Sequence, residues 1–322
     1  MTATKDVIRI PLQLILIAII CSGCSPKSCL LEPKLSYTPQ TRCFEAMHSP
    51  FPPLSPLEKK QDWGKELAIG ISFAKEMDLY RAITAFKRAL ILIPNDKEER
   101  KLQIQYNLVL CYYIGGKYQD ALDIFEKTSL YFVPMTFPTR DDLLLMIYDC
   151  YTKTDQEEKA CIIFDFLENQ LPEKARDIKL SEAFFEGDLC AITEAAYTYP
   201  NRESLTCFLD AYSLETKSVQ KAQTLNAVIP GAGYYYVGQE KAALTSFIIN
   251  TLFIATAYEF FDRGYWAAGI ITSSLELGWY IGGINGAGLA AKEYNERLFE
   301  RNARPLMIQN RLFPVLRLEH SF

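Results

Sequence analysis

Histidine is almost missing from this chain: 322 residues contain only His48 and His320. Imidazole is the commonest metal ligand and the side chain that titrates nearest neutral pH, so histidine-rich metal sites and histidine-based acid–base catalysis are disfavoured at once. Nine cysteines occur; apart from Cys21 and Cys24 near the N-terminus, the other seven form no CxxC pair, which removes the usual zinc spacing from the rest of the chain. Excess positive charge is missing too. A net charge of −5 argues against a general nucleic-acid binder, which needs a basic footprint. There is no GxSxG elbow, no P-loop, no HExxH pair and no carboxylate pair beside a histidine. The expectation is a non-enzymatic chain with no cofactor, no metal, no nucleic-acid partner and no small-molecule substrate.

What is present is unevenly spread. Long apolar runs sit at both ends, and the middle is amphipathic. Lys5 and Arg9 precede an almost wholly apolar stretch over residues 10–20. That run is short of the roughly 20 residues that span a bilayer and fits the hydrophobic region of a secretory signal. Cys21-Ser22-Gly23-Cys24-Ser25 follows. It resembles a bacterial lipoprotein cleavage box, with Cys21 standing where leucine is usual. The resemblance implies that residues 1–23 are a signal peptide and that Cys24 carries the lipid. Acyl chains anchor at about 0.8 kcal/mol per buried CH₂, so several together hold a protein firmly. Cleavage would leave Cys29, Cys43, Cys111, Cys150, Cys161, Cys190 and Cys207, an odd set that cannot all pair. Cys111, Cys150 and Cys161 fall within helical patterns and read as small buried apolar groups.

Residues 24–57 hold Pro26, Pro33, Pro39, Pro50, Pro52, Pro53 and Pro56. No helical or alternating period survives that density, so the stretch reads as an extended tether between lipid and domain.

From Trp63 the period becomes helical and the sequence begins to repeat. Residues 63–96 place Gly70 and Phe73 in one helix, Ala82, Phe86 and Ala89 in the next, and Pro94 at the end. This resembles the tetratricopeptide repeat, in which a glycine lets the helix pair approach and a phenylalanine fills the space between them. Residues 102–135 match with Leu108, Tyr112, Ala121 and Phe125, and depart at Val109 and Thr128. Residues 141–174 match with Ile147, Tyr151, Ala160, Phe164 and Pro172, and depart at Tyr148. Three repeats thus fill residues 58–174, and 175–224 read as degenerate repeats capping the stack. The family resemblance implies a groove lined by the first helix of each repeat that binds a protein or peptide partner. It assigns Lys75, Tyr106, Leu110, Tyr113, Asp149 and Lys153 to that groove. Packing of Tyr106 and Tyr113 against neighbouring helices is the competing reading.

The composition shifts again over residues 225–291. A Pro230-Gly231-x-Gly233 lead-in, with Tyr234, Tyr235, Tyr236 and Gly238, precedes apolar stretches over residues 242–260 and 265–291. The lead-in resembles an element of small two-helix bacterial membrane domains. Asp262-Arg263-Gly264 is the turn. Gly278, Gly282 and Gly286 recur every four residues, a pattern that lets helices pack closely in lipid. Asn250 and Glu276 each lie thirteen residues from Arg263, so they are expected to meet and hydrogen-bond across the hairpin. Glu276 is either structural glue or a functional intramembrane acid. Lys241, Lys292, Arg297, Arg301 and Arg304 flank the hairpin ends, against the positive-inside tendency for an exported domain. A buried hydrophobic pair docked on the repeats is the alternative to a membrane hairpin. Residues 292–322 read as a loosely ordered basic tail.

The reading is therefore all-α: a tetratricopeptide-like helix-turn-helix solenoid followed by a transmembrane or buried hydrophobic hairpin. As an envelope lipoprotein it would be a partner-binding scaffold in envelope assembly or maintenance. The alternative is a subunit of a membrane transport or export complex that uses Glu276.

Overall fold

The computed structural model describes residues 31–37 and 47–322. Residues 1–23, expected to be a signal peptide, and Cys24, Cys29 and Cys43 lie outside the described residues. Among those residues the regular structure is helical, with no strand and a single isolated bridge between His48 and His320. The chain divides into two compact units.

The first three helix pairs of the repeat unit are α1 (Asp62–Lys75) with α2 (Leu79–Leu92), α3 (Glu98–Ile114) with α4 (Tyr118–Lys127), and α5 (Arg140–Lys153) with α6 (Glu157–Gln170). Then come α7 (Pro172–Glu186), α8 (Leu189–Thr198) and α9 (Arg202–Glu215). Each of the three pairs turns on a residue in the left-handed region: Met77 at φ 60°, Gly116 at φ 69° and Asp155 at φ 56°. These positions recur every 39 residues. At each, the next amide reaches back to close the helix: Asp78 N–H to Phe73 O, Lys117 N–H to Tyr112 O, and Gln156 N–H to Tyr151 O. The repeats are therefore equivalent in backbone as well as in side-chain pattern.

The α1–α2 pair is the tightest. A Cβ on Gly70 would lie 2.5 Å from the Phe86 ring, and Phe86 and Ala82 are fully buried. Glycine is needed there because any side chain would take the volume that Phe86 fills. The helix α3 differs from an ordinary surface helix: every residue from Leu102 to Tyr113 is buried. A helix apolar or enclosed on all sides must be covered on all sides. The cover on one side comes from segments distant in sequence.

Those segments are two that the sequence reading left loose. Residues 47–57 are not a free tether: Phe51 and Leu54 pack on the repeat core. Leu31 and Leu35 are also buried. Nor are residues 292–322 a loose tail. The last helix, α13 (Trp266–Gln309), continues over residues 292–309 with Pro305 inside it. One N–H is lost at the proline, but Phe299, Ala303, Leu306 and Met307 on this stretch are buried, which outweighs that cost. Phe299 closes an aromatic cluster with Phe184, Phe208 and Tyr212 at centroid distances of 5.4–6.0 Å. The degenerate repeats are thus capped by the chain's own late helix.

The second unit holds α10 (Val219–Val228), α11 (Ala232–Tyr236), α12 (Glu240–Asp262) and α13 up to Arg297. The glycine lead-in has a plain cause. Gly231 sits at φ 92°, and a Cβ there would meet Ala243 O at 2.3 Å; one on Gly233 would meet Ala222 O at 2.2 Å. Asn226 Oδ1 accepts the Gly231 amide at 2.9 Å and holds the turn. Asn295 clamps the entry to α10, accepting from Lys217 N–H and donating to Lys217 O, both at 2.8 Å. The helices α12 and α13 then form the hydrophobic hairpin, reversing at Gly264. Among the described residues α12 is the one helix long and apolar enough to cross a membrane. Its 23 residues span about 35 Å at 1.5 Å each.

Candidate functional site

The repeat pattern places a groove on α1, α3 and α5, the first helix of each repeat; the face that the structure covers runs over α3, α5 and α7. It is already filled. Phe51 lies 5.8 Å from the Tyr106 ring and 5.7 Å from Phe137. Leu318 and Phe322 are buried in the same core cluster as Tyr106, Val109 and Tyr113. The candidate groove residues are placed accordingly. Tyr106 and Leu110 are wholly buried and offer no open surface, which corrects their placement on an exposed binding face. Tyr113 is buried as well, and its hydroxyl donates to Asp149 Oδ2 at 2.9 Å. Lys153 Nζ reaches the same oxygen at 2.8 Å and lies 4.7 Å over the Tyr118 ring. Asp149 and Lys153 therefore join Tyr113 in one polar cluster. Lys75 stays exposed and apart from it. Burial pushes the Tyr113 hydroxyl well above its ordinary pKa, and the neighbouring Asp149 charge adds to the effect, so it stays a donor.

Sequence reasoning missed the most telling groove residue, Asp142, as an anchor. It is buried, and its carboxylate accepts the backbone N–H groups of Glu319 at 3.1 Å and His320 at 2.9 Å. His320 Nδ1 lies 3.0 Å from the same carboxylate. Burial raises the Asp142 pKa, while the His320 and Glu319 contacts oppose the rise. Further along, Arg317 donates to Asp177 O at 3.0 Å, and the charges of Asp177, Asp149 and Glu182 favour its cationic form against its burial. Ser181 Oγ donates to Leu312 O at 2.7 Å, and Lys174 pairs with Glu319 at 2.9 Å. Nothing in the spacing of residues 312–322 signalled this. The hint was the apolar run Leu312, Phe313, Val315, Leu316, Leu318 and Phe322, which the prolines at 305 and 314 made read as a loose tail.

On the other unit, the expected bond between Asn250 and Glu276 is not formed. Both residues are buried, yet Asn250 Nδ2 donates to Ser246 O at 2.6 Å on its own helix. Back-bonding to the carbonyl one turn earlier is the nearer option and wins. Both Glu276 carboxyl oxygens and Asn250 Oδ1 are left without a partner among the described residues. The glycine stripe is also redistributed. Gly286 faces the Tyr234 hydroxyl closely, whereas Gly278 and Gly282 have open space where a Cβ would stand. They line a cleft of about 610 Å³ with Lys241, Ser246 and Trp279. The basic flank is largely neutralised: Lys292 pairs with Glu32 at 2.9 Å, Arg297 with Glu293 at 3.4 Å and, on the repeat unit, Arg301 with Glu215 at 2.8 Å. Of the three cysteines assigned to helix interiors, Cys111 and Cys150 are buried and burial raises their thiol pKa values, but Cys161 is exposed.

No family model, curated protein or solved structure matches this chain. The functional reading therefore rests on its own residues.

Proposed function

We propose that this protein is a non-enzymatic interaction scaffold: a tetratricopeptide-type lipoprotein of the bacterial envelope that binds a protein partner in envelope assembly or maintenance. The observation that carries the reading is the apolar surface of the hairpin. Leu252, Ile271 and Trp266 are 61%, 62% and 66% exposed, on a unit joined in one chain to a helical repeat stack. Surface of that kind is stable in lipid and a liability in water. Anchorage by hairpin and by lipid on Cys24 would be redundant in the useful sense, since one acyl signal alone holds weakly.

The test is metabolic labelling with a clickable palmitate analogue, wild type against Cys24→Ser, followed by membrane fractionation. The reading expects label on the wild type only, with both forms in the membrane fraction. Absence of label on either form would overturn the lipoprotein. A transport-complex subunit is the second reading, favoured by the unpartnered buried carboxyl of Glu276. It requires Glu276→Gln to abolish the activity of that complex, which a scaffold tolerates.

A further inference from the structure

Residues 312–322 occupy the repeat groove in the way a bound peptide would. The segment is mostly extended, with one short turn at Pro314–Arg317. His320 forms a parallel bridge with His48, and Ser321 Oγ donates to Met47 O at 3.1 Å. Two apolar side chains four residues apart, Leu318 and Phe322, enter the core, Arg317 donates to the Asp177 carbonyl, and His320 lies against the Asp142 carboxylate.

The chemistry of the groove is that of a reader, and a core element would be built differently. A buried carboxylate is expensive, and where only packing is required an apolar residue of similar size serves as well or better. Asp142 is retained in a buried position where its partners among the described residues are two backbone amides and a histidine of the tail. Recognition of adjacent main-chain N–H groups by a fixed acceptor reads an extended peptide regardless of its sequence. At the Arg317 place the groove offers the Asp177 carbonyl as an acceptor at 3.0 Å, which suits a cationic donor.

We infer that the groove is a binding surface for an extended, basic–apolar peptide of a partner protein, and that residues 312–322 are a displaceable stand-in for it. This rests on the scaffold reading and names the partner's chemistry: an arginine or lysine followed at once by an aliphatic residue, with an aromatic residue four further on. The tail then sets a threshold. A ligand whose site is open only a fraction of the time binds more weakly by that fraction.

The test uses the full chain in detergent micelles and a fluorescein-labelled peptide of sequence 312–322, read by anisotropy. Leu318→Ala with Phe322→Ala weakens the tethered copy, so this variant should capture the free peptide about 10-fold more tightly than wild type. A peptide carrying alanine at the Arg317 place should lose most of that affinity. Equal capture by wild type and variant, or none by a variant that keeps its helical circular dichroism, would overturn the inference. Should the variant not fold, hydrogen exchange on the wild type decides. Glu319 and His320 amides must exchange well ahead of those of α3 and α5, and exchange only together with them sinks the idea. Peptide capture does not depend on lipidation, so a failure here leaves the palmitate result standing, and the reverse.

Discussion

The two units handle the same residue types in opposite ways. In the repeat unit Leu67, Ile104 and Leu108 are sealed from solvent, and even the tyrosines of α3 are inside. In the hairpin unit Leu252, Ile271 and Trp266 face outward, while Asn250 and Glu276 are turned in. A repeat stack is solved for water: its stability comes from removing apolar surface. The hairpin leaves apolar side chains outward, the arrangement an apolar surrounding would favour, where helix contacts are made through small and polar residues. The comparison teaches that hydrophobicity alone does not locate the core. The polar residues do, because they mark the side on which water is absent or controlled.

The comparison breaks most sharply at the core of the first repeat. Phe86→Ala empties the space that Gly70 vacates and should cost about 3–5 kcal/mol, measured by urea unfolding followed with circular dichroism. Leu252→Ala in the hairpin should change the same midpoint little. A hairpin variant with a comparable loss would show that its outward face is packed after all.

Next in size is Leu252→Arg. If α12 lies in lipid, a guanidinium at mid-helix costs roughly 2.5–3.5 kcal/mol, and the protein shifts toward alkaline-extractable or degraded material. On a water-facing surface the same change would be nearly silent, and fractionation separates the two.

A smaller effect sharpens the description of the repeat unit alone. The Arg100 guanidinium holds Glu58 at 3.0 Å and also binds Pro52 O at 2.7 Å, pinning the start of the domain. Hydrogen bonds from Arg100, then from the Ser55 amide, lower the Glu58 pKa from 4.5 to about 2. Its contribution is therefore complete above the ordinary carboxylate value of 4.5 and is lost as pH falls through about 2. Trp63 is buried in α1 and its Nε1 donates to Gln61, so its emission reports the release. In a background with Trp266→Phe and Trp279→Phe, the spectrum should hold steady down to pH 4.5 and move below it. With Arg100→Ala the change should be complete nearer pH 4.5, where the wild type completes it near 2.

The smallest expected effect is that of Glu276→Gln. It removes an ionisable proton and keeps shape, so a scaffold should retain membrane fractionation and peptide capture unchanged.

Much of the repeat stack was legible because its signals are local. Gly70 and Phe86 stand at the spacing that a helix pair demands, and Pro172 opens α7 where it marks the end of the third repeat. The Gly231-x-Gly233 lead-in was legible as a motif, but its reason was not. The glycines avoid Ala243 O and Ala222 O, atoms that only the folded chain brings near. Tyr106 looked like a groove residue because it lies on the correct helix face. The segments that bury it come from about 55 residues before and more than 200 after.

By itself the sequence determined the elements: an all-helical stack with turns at fixed recurrence, and one helix, α12, long and apolar enough for a bilayer. Periodicity and turn chemistry act within a few residues, so they are written locally. Only the tertiary structure decided what covers the groove, that α13 continues through Pro305, and that Asn250 bonds its own helix and leaves Glu276 alone. Those outcomes are competitions between partners distant in the chain. A hydrophobic pattern states which residues must be buried, and it leaves open which other residues bury them.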